Sequence, residues 1–327
     1  MRRVVSLVCV IGIALSGCAS ERLYVTVVDE EDNPVSNAVV RVGFSTSNVL
    51  FGGGHSSCDK GGNAMAKTDT NGVAIVKFNC TSASFGWDVV ADGYYRGNLH
   101  YEKFKFDEFF IPPCFCKVIL HEHEKSGKEK LFKIKNPQPM YAHYPIERRK
   151  LPKTKGRLGF DLAEYDWLQP YGKGVVADFY VVREKDNIPD VGLYEFGRVE
   201  FDVDCGYYRS KQTGSKEFPA TYHADPYGPY HTNIVLKCIR HKDLRDWIEP
   251  LPVIGKDEYL VLRTRVVHDE KGNIVSANYS RILGEFKVNP SISSAEVIFN
   301  PRPNDTNLEF DPKRNLYKGK IGRGMKP

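Results

Sequence analysis

No run of the 327-residue chain reaches the roughly 20 apolar residues that a helix needs to cross a bilayer. The longest, Val4 to Leu15, is about a dozen residues and sits at the start. Long stretches with a 3.6-residue apolar period are also missing, which argues against a helical body. Low-complexity and disorder-prone composition is absent. There is no Gly-x-Ser-x-Gly elbow, no His-Glu-x-x-His helix and no Cys/His catalytic signature, so the familiar hydrolase and zinc-peptidase patterns have no foothold. What remains is rich in Tyr and Phe, 18 each, with 28 Gly and 19 Pro punctuating short β-branched runs. That pattern predicts an all-β protein with enough apolar content for two cores.

The apolar run has a context. Arg2 and Arg3 precede it, and Leu15-Ser16-Gly17-Cys18 follows. A basic start, an apolar stretch and small residues form an export signal over residues 1–17. With cysteine directly after Leu-Ser-Gly, the site resembles the processing site of bacterial lipoproteins. The resemblance implies lipidation of Cys18, which becomes the mature N-terminus anchored in membrane lipid. More than one acyl chain gives stable anchoring. Ala19 is not the aspartate that retains some lipoproteins at the inner membrane, so the resemblance favours the outer membrane.

The net charge of +5 conceals a division. Residues 18–124 hold nine Lys/Arg against fourteen Asp/Glu, and residues 158–300 hold seventeen against twenty-two. Between them, residues 125–157 hold eleven against two and carry Pro137, Pro139, Pro145 and Pro152. Like charges and prolines keep such a segment extended, so it reads as a basic linker, either a solvated spacer or a strap lying on the acidic blocks. The functional alternative is contact with anionic headgroups or an anionic envelope polymer, whereas nucleic acid is not expected for an exported chain. Residues 301–327 read as an extended basic tail that wraps the body or frays.

With Cys9 removed in the signal and Cys18 lipidated, six cysteines remain: Cys58, Cys80, Cys114, Cys116, Cys205 and Cys238. In an oxidising envelope these point to disulfides rather than zinc ligands. Cys205 and Cys238 are the natural pair in the second block. On a strand, Cys114 and Cys116 would point to the same face, with Cys58 and Cys80 available as partners.

In the first block, Leu23–Val28, Ala38–Val42, Val73–Phe78, Trp87–Ala91 and Lys117–Leu120 read as strands. Asp29-Glu-Glu-Asp-Asn-Pro34 and Thr68-Asp-Thr-Asn-Gly72 read as turns between them. Phe51-Gly-Gly-Gly54 and Lys60-Gly-Gly-Asn63 read as loop, since the former lacks the ending of a phosphate loop. Asp69-Thr-Asn71-Gly72 lacks the distal glutamate of a calcium loop. His121 and His123 share a strand face but have no third metal ligand. The series Val25-x-Val27-x-Asp29, Asn33-Pro34-Val35-x-x-Ala38-x-Val40, Thr68-Asp69-x-Asn71-Gly72-x-Ala74 and Ala91-x-Gly93-Tyr94 is similar to carboxypeptidase regulatory-like domains. These are transthyretin-like, Ig-type sandwiches. The resemblance covers about residues 22–120 and implies a non-catalytic folding or binding module.

The second block has strand-like runs at Gly174–Val182, Gly197–Val203, Thr232–Ile239, Glu258–Val267, Asn273–Tyr279 and Leu283–Val288. Asp269-Glu-Lys-Gly272 marks a hairpin, and only His241 to Trp247 looks briefly helical. A second antiparallel sandwich of jelly-roll kind is expected. Tyr222, His223, Asp225, Tyr227, Tyr230 and His231 lie on a Pro/Gly-shaped stretch that resembles a carbohydrate platform: flat faces for sugar C–H groups, polar tips for hydroxyls. Trp167, near Asp161, Glu164 and Asp166, is placed to extend it. The alternative is that these aromatics pack onto the sheet. Asp202 and Asp204 share a strand face, a weak imitation of a glycosidase pair. The chain thus reads as a non-catalytic, lipid-anchored structural or binding protein of the envelope, with glycan binding by this loop as its specific version and a cell-wall or glycan hydrolase as the alternative. No cofactor or metal is expected.

Overall fold

The computed structural model describes residues 20–46, 60–79, 84–103, 107–111, 116–120, 124–143, 149–153, 156–183, 193–211, 218, 221–241, 247–255, 258–283, 286–288, 291–293 and 296–318. Residues 15–18 and Cys58, Cys80 and Cys114 lie outside that set, as do Gly52–Gly54, His121 and His123. The chain forms two units. One is Met1–Ile134 with Gly214–Pro219, the other Lys135–Thr213 with Ala220–Pro327. Among the described residues every regular element is a strand except one 3-10 turn, Pro312–Arg314.

The first unit contains β1 (Ser20–Val28), β2 (Val39–Thr46), β3 (Lys60–Lys67), β4 (Val73–Asn79), β5 (Ser84–Val90), β6 (His100–Lys103), β7 (Asp107–Ile111), β8 (Cys116–Leu120) and β9 (Glu124–Lys130). Alternation decides its core. Leu23, Val25 and Val27 of β1 face inward with Ala74, Val76 and Phe78 of β4, and they meet Val40, Val42, Phe85, Trp87 and Val89 from the other sheet. The sheets run β4-β1-β9 and β3-β2-β5-β6, packed as a sandwich, and β7 pairs with β8. The predicted turns hold by one mechanism. The Asp29 carboxylate accepts the Glu31 and Asn33 amides, and that of Asp69 accepts the Asn71 and Val73 amides. Gly72 has φ +74°, and a Cβ there would lie 2.5 Å from the Val27 carbonyl oxygen, so glycine is required. Lys133, 2.8 Å from Asp29, holds that carboxyl well below the usual range.

Two expectations change here. Lys60-Gly-Gly-Asn63, read as loop, begins β3, which pairs along its length with β2. The basic segment 125–157 is not a free linker. β9 pairs in parallel with β1 from Arg22↔Glu124 to Val28↔Lys130. The signal was hidden because the inward positions of β9 are Gly127 and Glu129, not aliphatics. The Trp87 ring takes the space of a side chain at Gly127, where a Cβ would lie 2.5 Å from Cζ2. Buried Glu129 pairs with the His100 imidazole and accepts the Asn98 amide at 2.9 Å. Leu131 and Phe132 then enter the interior.

In the second unit, β10 (Tyr141–His143), β11 (Arg149–Lys150), β12 (Arg157–Asp161), β13 (Asp166–Trp167), β14 (Phe179–Arg183), β15 (Leu193–Glu200), β16 (Gly206–Lys211), β17 (Asn233–His241) and β18 (Trp247–Pro250) come first. They are followed by β19 (Glu258–His268), β20 (Ile274–Leu283), β21 (Lys287–Val288), β22 (Ser291–Ser293) and β23 (Glu296–Phe299). A six-stranded sheet, β13-β12-β14-β15-β17-β18, faces a five-stranded one, β10-β23-β20-β19-β16. Phe160, Phe179, Val199, Leu236, Leu260 and Phe299 from both sheets share one core, giving the second antiparallel sandwich. His241 ends β17 and Trp247 begins β18, so the ends of the supposed helical stretch are extended.

Of the two outcomes expected for the tail, its described part, residues 301–318, wraps this unit. Leu308 and Phe310 are buried, and Glu309 accepts the amides of Lys135 and Asn136. Cys205 is a buried free thiol, so the expected Cys205–Cys238 bridge is not formed. The register explains it. The chain beside Cys205 meets β17 at its start, through Phe201 to Thr232 and Tyr207 to His231, whereas Cys238 lies five residues beyond Asn233. At about 3.3 Å per residue that is roughly 16 Å, far beyond the reach of a disulfide.

Candidate functional site

The aromatic stretch 222–231 crosses one end of the second unit. Its ends are fixed by backbone pairing, His223 with Asn307 and His231 with Tyr207. A Cβ at Gly206 would lie 2.6 Å from the His231 carbonyl oxygen, so this close approach demands glycine. Between those ends Asp225 makes the turn: its Oδ1 accepts the Tyr227 amide at 2.9 Å, and its carbonyl accepts the Tyr230 hydroxyl at 2.7 Å. The Asp225 amide donates to the Tyr208 hydroxyl at 3.1 Å. Arg263 reaches from β19 to the carbonyls of Pro226 and Asp204, both at 2.8 Å, and lies over the Tyr230 ring.

Tyr230 and Tyr208 meet edge to face, 5.3 Å between centroids, over a small core of Ala224, Tyr259, Val261, Ala277, Tyr279 and Leu308. Burial pushes the Tyr208, Tyr230 and Tyr279 phenols up, so they remain neutral. Tyr222 is half-buried under the Lys135 ammonium. His223, Asp225 and His231 are exposed, and Tyr227 projects with 93% of its surface open. The stretch therefore covers a core and displays one aromatic; it is not a row of open rings. Trp167 does not extend it. That indole is buried, meets Phe160 edge to face and donates to the Lys150 carbonyl at 2.8 Å.

The acids near Trp167 form a second arrangement. Asp161 and Asp178 are buried around Arg265, whose Nη2 lies 2.9 Å from Asp161 and whose Nε lies 2.9 Å from Asp178. Asp178 also accepts the Thr264 hydroxyl and the Leu162 amide. Arg265 reaches this pocket because the ladder between β19 and β20 is irregular there, with Arg265 at φ +52°. Burial raises the Asp161 carboxyl, but the Val175 and Val176 amides and Arg265 outweigh it and hold the group below its usual range. Burial pushes Asp178 up against the pull of Arg265. These charges turned inward have no sequence signal beyond isolated acids and one of two arginines on β19, a strand that also carries Glu258, Thr264 and His268.

The candidate acid pair is occupied. Asp202 bonds Arg157 at 2.9 Å and Tyr180 at 3.2 Å, and Asp204 bonds His268 at 2.7 Å. Among the described residues no group of three His, Cys, Asp or Glu side chains is placed to hold a metal.

No family model matches the chain, and no curated protein matches it. Among solved structures it is similar to the full-length major pilin SpaD from Corynebacterium diphtheriae, at 10% identity and TM-score 0.25 over 86% of this chain and 63% of that one. It is similar to BcpA, the major pilin subunit of Bacillus cereus, at 9% identity and TM-score 0.23 over 89% and 99%. A 3-chlorocatechol 1,2-dioxygenase from Rhodococcus opacus matches at 13% identity and TM-score 0.24 over 36% of this chain and 61% of the enzyme. The matches span less than two thirds of the dioxygenase and of SpaD. Likenesses of this degree assign neither family nor activity.

Proposed function

We propose that this is a non-catalytic protein of the bacterial envelope, anchored through lipidated Cys18, whose two β-sandwich units form a structural or binding body. The observation that carries the reading is Leu15-Ser16-Gly17-Cys18 after a basic start and a short apolar run, with β1 beginning at Ser20. The outer membrane is the favoured location, since Ala19 follows the cysteine. Replacing Cys18 with Ser and fractionating the cells tests the anchor. Membrane recovery should fall, and the wild-type mature N-terminus should carry lipid mass; unchanged recovery with no lipid mass ends the reading.

Glycan recognition is the specific version, and the feature that supports it is Tyr227, held out by the Asp225 turn. Its flat face suits sugar C–H groups. Glycan-array binding that disappears in Tyr227→Ala supports it. The competing class is a glycan or cell-wall hydrolase. Turnover of any such substrate, lost on substitution of Asp202 or Asp204, would replace the non-catalytic reading.

A further inference from the structure

The loop 169–176 of the second unit shows apolar side chains to solvent from a backbone fastened inward. Asp161 Oδ2 accepts the amides of Val175 and Val176 at 2.9 and 3.1 Å, and Asp166 Oδ2 accepts that of Lys173 at 3.3 Å. The amides of Gly174 and Tyr171 donate to the carbonyls of Trp167 and Leu168. At Gly172 a Cβ would lie 2.4 Å from the Trp167 carbonyl oxygen, so the backbone packs too closely for any side chain. Asp161 is in turn held by Arg265, a non-glycine residue at positive φ. A buried ion cluster is weak evidence of stabilisation but a good means of fixing one geometry. The geometry fixed here presents Val175, 78% exposed, with Tyr171 and Val176 at 49% and 42%.

We propose that this loop is a membrane-contact element that enters the interfacial layer of a lipid bilayer. Three observations choose lipid over a protein or glycan partner. Five of the loop's amides already have acceptors inside the protein, so the loop can leave water without stranding those donors, the condition a bilayer imposes most strictly. Two valines and a tyrosine combine an aliphatic surface with an aromatic suited to the headgroup level. Lys173 is exposed, with Glu164 a loose partner at 3.6 Å, and exposed Lys150 lies on the segment whose carbonyl receives the Trp167 indole. These cations complement anionic headgroups. The proposal rests on the envelope-membrane reading for the presence of a bilayer, but not on acylation of Cys18.

The test uses the full chain carrying Cys18→Ser, so that no acyl chain contributes. It is reconstituted on phosphatidylethanolamine/phosphatidylglycerol vesicles through its own apolar N-terminal run. Val175→Trp adds an exposed indole, and quenching by lipids brominated on the acyl chain reports its depth. Fluorescence is compared with the chain that keeps Val175, which supplies the native tryptophan background. The expected result is a severalfold excess of quenching for the introduced indole, reduced by Lys173→Glu and by Tyr171→Ser/Val176→Ser. No excess quenching on vesicle-bound chain overturns the proposal. So does sedimentation showing self-association that Val175→Asp abolishes, because the loop then meets a second copy. Absence of lipid on Cys18 in cell-derived protein defeats the anchoring proposal and leaves this one standing.

Discussion

Glu129 in the first unit and Asp161 in the second use the same device and produce opposite surfaces. Each is a buried carboxylate that fastens a stretch lacking an apolar reason to be there. Glu129 fastens β9, whose outward side chains include Lys128 and Lys130, in salt bridges with Asp32 at 3.4 and 3.2 Å. That edge is charged, and charge on an edge discourages pairing with other strands. Asp161 fastens a loop whose outward side chains are Val175 and Val176. The partners differ too: a histidine stacked on Trp87 for Glu129, and an arginine shared with a second carboxylate for Asp161. Closing a sandwich explains the first arrangement. The second ends in exposed apolar surface, and folding alone does not explain that.

The strongest way to break the comparison is Arg265→Met. It removes the common donor from Asp161 and Asp178, and breaking a buried ion pair from one side costs about 3–5 kcal/mol. Urea unfolding followed by a probe in the second unit reads the loss. Adding Asp178→Asn should recover part of it, because the stranded charge is gone. A loss under about 1 kcal/mol would remove the cluster's claim to fix the loop. Next comes Gly127→Ala, which drives a methyl into Trp87 and should cost about 1–3 kcal/mol, confined to the first unit in hydrogen exchange. An equal loss of protection in both units would mean that they unfold together.

The pH response sharpens the comparison further. Asp161 has a folded pKa below its unfolded value of about 3.9, so its contribution is full above that value and is lost as pH falls through the folded pKa. Asp178 is shifted up, so acidification through the interval above about 3.9 relieves a cost instead. Asp161→Asn should therefore flatten acid unfolding of the second unit below about pH 4, and Asp178→Asn should not. Circular dichroism during acid titration of each variant reads the difference. A flattening by Asp178→Asn equal to that of Asp161→Asn would reverse the assignment.

Most of the sandwich architecture was legible because simple physical rules write it. β1 and β4 bury alternate apolar residues, β19 buries the apolar run Tyr259 to Leu262 on both of its faces, and Asp29, Asp69 and Asp269 tie their turns by carboxylate-to-amide bonds that short polar motifs announce. β9 was illegible because its inward residues are Gly127 and Glu129, whose partners Trp87 and His100 lie far away in sequence. What holds the tail was illegible for the same reason, since polar residues such as Asn307 and Glu309 are buried by bonds to residues 135 and 136. Trp167 read equally as a platform aromatic and as a strand-end aromatic over the core, because acids surround it in sequence; Asp161 turns inward, Glu164 stays at the surface, and the indole is buried. In the aromatic stretch, residue type identified a structured loop but not which ring faces out. That depends on Arg263 and Tyr208, neither of which lies within it.

The smallest expected effect on stability is also the sharpest test of that stretch. Tyr227→Ala removes an exposed ring from a turn made by Asp225 and the backbone, so stability should stay within about 0.5 kcal/mol of wild type. Tyr230→Phe removes only the hydroxyl that closes on the Asp225 carbonyl and should cost about 0.5–1.5 kcal/mol. If glycans are recognised here, Tyr227→Ala loses binding at unchanged melting temperature, whereas Tyr230→Phe shifts melting and keeps the displayed ring. If both variants retain binding, recognition lies elsewhere on the molecule. If Tyr227→Ala destabilises as much as Tyr230→Phe, the ring is packed in solution and the stretch serves only as a cover for its core.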